Sequence, residues 1–255
     1  MNEGKGICRL SVVPMRATAK LDSVLVSELL FGEHYTVLSE KNEMVQIQLH
    51  FDHSTGWIHK NQYTPISEEY FNQVNLSDYK VCIDLSGTIY FQKKHVHILL
   101  GSVLPISTNE LFKLEEQVAF NGESKSLSQK REFEYMKEVI KKYLNAPYRQ
   151  GGKTPFGIDH GGFIQQVFKI CGYKLPRTIA EQYKSGQEVA GLENIIPGDL
   201  IFPTDQPAAG YVFLGGDEYV GIYGGEVKKI TALQVGGDQC TARRILLKKI
   251  VPEQS

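Results

Sequence analysis

Closely spaced cysteines are absent from this sequence. Its four cysteines are Cys8, Cys82, Cys171 and Cys240. They form neither a C-x-x-C pair nor the ligand spacing of a structural zinc site. We therefore expect four free thiols that behave as small apolar side chains, and the sequence predicts no metal ion and no other cofactor.

The sequence also lacks a strong charge imbalance and a long apolar run. The net charge of −1 gives no reason to expect nucleic acid as a partner. No apolar run approaches the roughly 18 residues of a membrane span, so no membrane contact is predicted. Residues 1–6 lack the apolar core of a signal peptide. We expect a cytoplasmic protein, or a periplasmic or secreted one whose leader has been removed.

The first half of the chain is rich in short strand patterns. Residues 45–51 alternate apolar and polar side chains, which predicts a half-buried strand. About five such segments within some 60 residues predict a small β-barrel over residues 1–66. Further strand-like segments predict a second β module, with its connector, over residues 67–127. The polar stretch 121–128 is the clearest linker.

From residue 128 the apolar side chains take a helical period. Phe133, Met136 and Ile140 fall on one helical face, and a second helix follows. After Pro197 the pattern becomes strand-like, with glycine pairs at positions typical of hairpin turns. Helices followed by an antiparallel sheet indicate an α+β domain over residues 128–255.

One long motif in the second half resembles a known enzyme family. Residues 144–168 read LNAPYRQGGKTPFGIDHGGFIQQVF, and L-P-R at 175–177 and P-G-D-L-I-F at 197–202 follow. Together they resemble the NlpC family of papain-like cell-wall peptidases. Those enzymes cut the γ-D-glutamyl bond to a diamino acid in peptidoglycan stem peptides.

The N-terminal half resembles the bacterial SH3-like domains of one branch of that family. Residues 11–16, 29–33 and 56–58 carry this likeness, and the branch contains dipeptidyl-peptidases. The resemblance implies an α+β fold, in which two small SH3-like β-barrels precede a papain-like domain with helices packed on an antiparallel sheet.

The departures from the family pattern fall on the residues that carry its chemistry. The changed positions are the cysteine nucleophile (His160), the base (Ala209 or Gly210) and the third polar residue (Gly221 or Ile222). No alignment restores the base, because residues 161–255 contain no histidine. Since such catalysis needs a thiolate, a base and a group that orients the base, the sequence predicts no catalytic residues and no enzyme.

The resemblance also implies which residues line the substrate groove, some of them unchanged from the family pattern and some of them different. The resemblance implies that a peptide contacts Tyr148, Gln150, Asp159, Gly161, Arg177, Glu33 and Tyr35. Asp159 either binds the free amino terminus of the peptide through charge-assisted hydrogen bonds or caps the helix that begins at His160. Glu33 and Tyr35 either reach the cleft from a turn of the first β module or are surface turn residues.

Three functions are open at this point. The favoured one is a pseudoenzyme that binds murein peptides (L-Ala-γ-D-Glu-diamino acid) or a partner protein without cleaving them. The second is an active γ-D-glutamyl peptidase that uses unorthodox residues such as His160. The third is a structural or regulatory protein whose cleft is filled by side chains such as Tyr211 or Tyr219. The sequence does not predict the oligomeric state.

Overall fold

The structure is a computed structural model that describes residues 4–91, 93–104, 119–236 and 239–246. Residues 105–118, which belong to the expected second β module, lie outside these ranges. None of the helices in the described ranges is long and apolar enough to cross a membrane. The domain boundaries 1–66, 67–127 and 128–255 stay predictions.

The N-terminal part forms a seven-stranded antiparallel sheet with the strand order β3-β2-β6-β5-β4-β1-β7. Its strands are β1 (Lys5–Ile7), β2 (Val12–Arg16), β3 (Leu25–Leu30), β4 (His34–Lys41), β5 (Met44–Leu49), β6 (Thr55–His59) and β7 (Pro65–Ile66). The predicted alternation appears in β5, where Val45, Ile47 and Leu49 are buried in the core of this sheet. These side chains form one apolar core with residues from the other strands of the sheet.

A short helix and two small sheets follow. Helix α1 (Glu68–Leu76) begins after Ser67, whose side chain accepts a hydrogen bond from the Tyr70 amide. The strands are β8 (Lys80–Cys82), β9 (Ser86–Phe91), β10 (Lys94–Leu99), β11 (Ala119–Asn121) and β12 (Ser124–Ser126). β9 lies between β10 and β11, while β8 pairs with β12. Ile89 and Ile98 pack with Phe31. Because Phe31 directly follows β3, this part packs against the N-terminal sheet.

The C-terminal part packs helices on an antiparallel sheet, as the sequence predicts. Its helices are α2 (Phe133–Lys141), α3 (His160–Ile170), α4 (Ile179–Gln182) and α5 (Ala232–Val235). The hairpin β13 (Lys153–Thr154) and β14 (Gly157–Ile158) precedes α3. Phe163 and Val167 of α3 share one core with Val212 and Val220 of the sheet. This packing fixes the N-terminus of α3 against the sheet.

The sheet of this C-terminal part has six strands. They are β15 (Gln187–Val189), β16 (Leu200–Pro203), β17 (Tyr211–Gly215), β18 (Glu218–Tyr223), β19 (Glu226–Thr231) and β20 (Cys240–Arg244). Their order is β15-β20-β16-β17-β18-β19. The middle strands β16, β17 and β18 therefore carry the apolar surface that α3 covers.

A buried ion cluster joins the N-terminal sheet to the C-terminal part. The Glu33 carboxylate lies 3.0 Å from Lys153 Nζ and 2.8 Å from Lys169 Nζ, and all three side chains are at most 3% exposed. Burial alone raises the pKa of Glu33, but the two ammonium groups outweigh it and lower that pKa to about 2. The buried cluster therefore fixes how the N-terminal sheet sits against α3 and its hairpin.

Candidate functional site

The candidate site lies at the N-terminus of α3. Asp159 has an extended backbone, and its Oδ1 accepts a hydrogen bond from the Gly162 amide at 2.7 Å, which is the geometry of an N-cap. The first backbone amides of a helix have no partner within it, and they carry the positive end of its dipole. The cap therefore starts α3 at His160 and leaves a positive helix end at the site.

An open cleft of about 600 Å³ runs past this helix end. Its walls include Tyr148, Gln150, Asp159, His160, Gly161, Arg177 and Ala209. These seven are predicted site residues that the structure brings together. The cleft stands open beside His160, which does not favour the closed-cleft alternative.

His160 presents a neutral imidazole to this cleft. Burial lowers its pKa below the ordinary value of 6.5, against the smaller opposing effects of a hydrogen bond with the Gly210 backbone and the charge of Asp159. The buried Nδ1 atom has no hydrogen-bond partner. The Tyr211 ring stands edge-on to the imidazole, with 5.9 Å between the ring centroids. Tyr211 therefore packs against the imidazole and helps to fix its orientation at the end of α3.

The residue after His160 is glycine for a steric reason. A Cβ atom at Gly161 would lie 2.4 Å from the backbone oxygen of Arg177. The backbone oxygen of Gly161 also accepts a hydrogen bond from Gln182 Nε2 at 2.9 Å. This close packing excludes the serine of the family pattern here.

The two expected positions of the family's base differ in the space around them. Ala209 lines the cleft, whereas a Cβ atom at Gly210 would lie 2.8 Å from Ile164 Cδ1. Of the two expected positions, Ala209 is thus the one that faces the site. At the third position, a Cβ atom on Gly221 would lie 2.5 Å from Tyr211 Cδ1. The Tyr211 ring therefore occupies the space that an orienting side chain would need.

The structure does not bring Glu33 and Tyr35 to the cleft, in contrast to the prediction for their turn. Glu33 turns inward because its carboxylate binds the buried Lys153 and Lys169. Tyr35 is fully buried in the core of the N-terminal sheet. Ile222, the alternative third position, is 5% exposed in the core beneath α3.

Several cleft residues carry no mark in the sequence. Val26 of the N-terminal sheet and the segment 206–208 line the same cleft. No local pattern marks Val26, because its place depends on how the N-terminal sheet docks on the C-terminal part. The sequence carries no signal for segment 206–208 either, since loops of this kind are recognised only by what they contact.

The four thiols offer no replacement for a nucleophile at this cleft. Cys8, Cys82 and Cys171 form no disulfide, and none of the four cysteines belongs to the cleft wall. Burial raises the pKa of Cys8 and of Cys171 to about 12, so these thiols stay protonated and unreactive at neutral pH. Among the described residues there is also no group of three or more side chains that could hold a metal ion.

Restoring a cysteine and a histidine is expected to give little activity. The double variant His160→Cys/Ala209→His places both groups at the cleft, but Tyr211 leaves no room for a group that orients the new imidazole. Loss of the orienting group costs about 10⁴-fold in a comparable hydrolase. We expect the double variant to exceed the original protein by no more than about tenfold in a peptide hydrolysis assay. Robust turnover, without a further change at Tyr211, would contradict this account of the packing.

Two family models match the chain. The NlpC/P60 family matches residues 145–244, and the bacterial dipeptidyl-peptidase Sh3 domain matches residues 15–62. A crystal structure of an NlpC/P60 family protein from Bacillus cereus ATCC 10987 is similar in fold, with a TM-score of 0.78 and 19% sequence identity. The similarity covers 94% of this chain and 99% of that one.

Two curated relatives from Bacillus subtilis (strain 168) are named hydrolases. The gamma-D-glutamyl-L-lysine dipeptidyl-peptidase is 26% identical over 234 residues, which cover 84% of this chain and 74% of that protein. The gamma-DL-glutamyl hydrolase is 39% identical over 82 residues, which cover 32% of this chain and 20% of that protein. Similarity to the first thus extends through both halves of this chain, and similarity to the second is confined to a shorter segment.

The prediction that this chain is no enzyme is wrong. The similar proteins from Bacillus subtilis are a named peptidase and a named hydrolase, and they overturn it. That prediction treated the loss of the thiol and the base as the loss of all chemistry. The cleft nevertheless keeps an open volume, the positive end of α3 and a neutral imidazole.

Proposed function

We propose that this chain, which carries an NlpC/P60 domain behind a bacterial SH3 domain, hydrolyses the γ-D-glutamyl bond of murein peptides. The reaction takes place in the cleft at the N-terminus of α3. The observation that supports it is the neutral imidazole of His160, which faces the open cleft where the family pattern has its nucleophile. The substrate class follows the name of the relative that aligns with most of this chain.

The positive end of α3 orients the substrate. A murein peptide carries a carboxylate on its D-glutamate, and helix N-termini bind anions through free amides and the helix dipole. The same amides stabilise negative charge on the oxygen of the attacked carbonyl. Tyr148, whose side chain is half exposed at the cleft wall, covers the bound peptide from the opposite side.

His160 acts as a general base toward water. One ring nitrogen takes a proton from a water molecule, and the water oxygen attacks the γ-carbonyl carbon. The tetrahedral intermediate then expels the amino group of the diamino acid, which takes the proton back from the imidazolium. General base catalysis contributes about 10²–10⁴-fold. We therefore expect turnover well below that of a peptidase with an activated thiolate.

We expect the hydrolysis rate to stay constant from neutral pH down to pH 6.5 and to fall only at lower pH. The reaction needs the neutral imidazole, and the pKa of His160 lies below its ordinary value of 6.5. The neutral fraction is complete above that pKa and falls only as the pH drops through it. A profile of kcat against pH checks this sign. An inflection at or above pH 7 would contradict the assignment of His160 as the base.

A pair of isomeric peptides tests the proposed function. We expect cleavage of L-Ala-γ-D-Glu-L-Lys, or of its N-acetyl form, while the α-linked isomers stay intact. Mass spectrometry identifies the products, and calorimetry measures the binding of each peptide. Failure to bind and to cleave any γ-linked peptide would overturn the proposal. Equal cleavage of both linkages would overturn the γ-D-glutamyl assignment.

A further inference from the structure

We infer that the cleft takes murein peptides whose N-terminus is blocked, in preference to those with a free amino group. This inference rests on the proposed function and narrows its substrate class. Its basis is the bonding of Asp159, the one carboxylate among the residues that line the cleft, and of the buried Glu28 on β3. A free amino terminus is an ammonium ion at neutral pH, and it needs such a carboxylate to replace its water.

The carboxylate of Asp159 has no acceptor site left for a ligand. Oδ1 accepts from the Gly162 amide at 2.7 Å and from Arg177 Nη1 at 2.8 Å. Oδ2 accepts from the Gly151 amide and from Arg177 Nη2, both at 2.8 Å. A carboxylate offers about four acceptor sites, and these four hydrogen bonds fill them. The Arg177 guanidinium also cancels the charge of Asp159.

The carboxylate of Glu28 also has hydrogen-bonded partners, and it is buried. Its side chain is 2% exposed, and Oε1 lies 2.9 Å from Arg149 Nη1. Oε2 accepts a hydrogen bond from the backbone amide of Lys153 at 2.8 Å. Arg149 is half exposed, so it covers the buried carboxylate from the solvent side. Glu28 therefore offers no anion to a peptide in the cleft.

One part of the cleft wall favours a neutral group. Val26, Ile179, Ala180 and Pro207 line it with apolar surface. The helix end at His160 carries partial positive charge, which repels an ammonium ion. An acylated N-terminus carries no charge to desolvate and gains apolar contact with this wall.

Matched peptides decide between the two substrate classes. We expect N-acetyl-L-Ala-γ-D-Glu-L-Lys to bind the full-length chain about tenfold more tightly than L-Ala-γ-D-Glu-L-Lys, since an uncompensated buried charge costs at least this much. Calorimetry measures both affinities. Tighter binding of the free amine, or equal binding, overturns the inference and leaves the proposed function standing. Failure of both peptides to bind overturns the two together.

Two arginine variants test the cause of the preference. Arg177→Gln frees two acceptor sites on Asp159, so we expect the preference for the acetylated peptide to shrink by about tenfold. Arg244→Gln is the matched control, because Arg244 makes the same two-point contact with Asp199 away from the cleft wall. We expect the control to leave the affinity ratio unchanged. An unchanged ratio in folded Arg177→Gln overturns the inference. If that variant does not fold, the peptide pair on the original protein decides.

Discussion

Replacing His160 with glutamine lowers the rate of peptide hydrolysis about 10²–10⁴-fold, which is the usual contribution of a general base. Glutamine fills a similar volume but does not take up a proton at neutral pH. We expect the affinity for the peptide to change by less than about threefold, because binding depends on the helix end and the cleft walls. Initial rates and calorimetry on the same samples separate the two effects.

A second histidine serves as the control for that variant. His97 lies exposed on β10, where Nδ1 is 3.3 Å from the Thr88 hydroxyl. His97→Gln makes the same chemical change outside the cleft, so we expect full activity. If His160→Gln hydrolyses the peptide as fast as His97→Gln does, His160 is not the base.

Replacing Glu33 with glutamine destabilises the fold by about 3–5 kcal/mol, the usual cost of removing one partner from a buried ion pair. The neutral amide leaves two buried ammonium groups, those of Lys153 and Lys169, without a counter-charge. The loss appears as a lower urea midpoint for unfolding at neutral pH. The stabilisation by Glu33 is present above its unfolded pKa of about 4.5 and is lost as the pH falls toward its folded pKa of about 2.

An exposed ion pair gives the comparison for Glu33. Glu218 lies 3.0 Å from Lys229, and both side chains are more than half exposed. Since exposed pairs contribute at most about 1 kcal/mol, we expect Glu218→Gln to leave the midpoint nearly unchanged. Equal midpoints for Glu33→Gln and Glu218→Gln would show that the buried cluster does not hold the two parts together.

The fold was predictable because its patterns are local. The predicted α+β class, the NlpC-type domain and an N-terminal SH3-like domain are confirmed by the matches to the family models and by the fold similarity. The motif around Asp159 and His160 marks the start of α3 directly, since an N-cap and the helix after it are neighbours in sequence. A second SH3-like barrel stays a prediction, because part of its residues lies outside the described ranges.

The site was less predictable, because its details arise from contacts between distant residues. The inward turn of Glu33 depends on Lys153 and Lys169, which are 120 and 136 residues away in the sequence. The space taken by Tyr211 follows from its register opposite Gly221 in the sheet. The pairing of Asp159 with Arg177 is likewise a long-range contact. The spacing of residues within a motif predicts none of these three long-range contacts.

A single-turnover experiment tests the central claim most directly. The full-length chain, in excess over N-acetyl-L-Ala-γ-D-Glu-L-Lys, is incubated at pH 7 in ¹⁸O-labelled water beside an identically prepared His160→Gln sample. We predict that only the original protein releases L-lysine, together with a peptide that carries one ¹⁸O atom in its new γ-carboxylate. An intact peptide in both samples, or equal cleavage in both, would contradict the account.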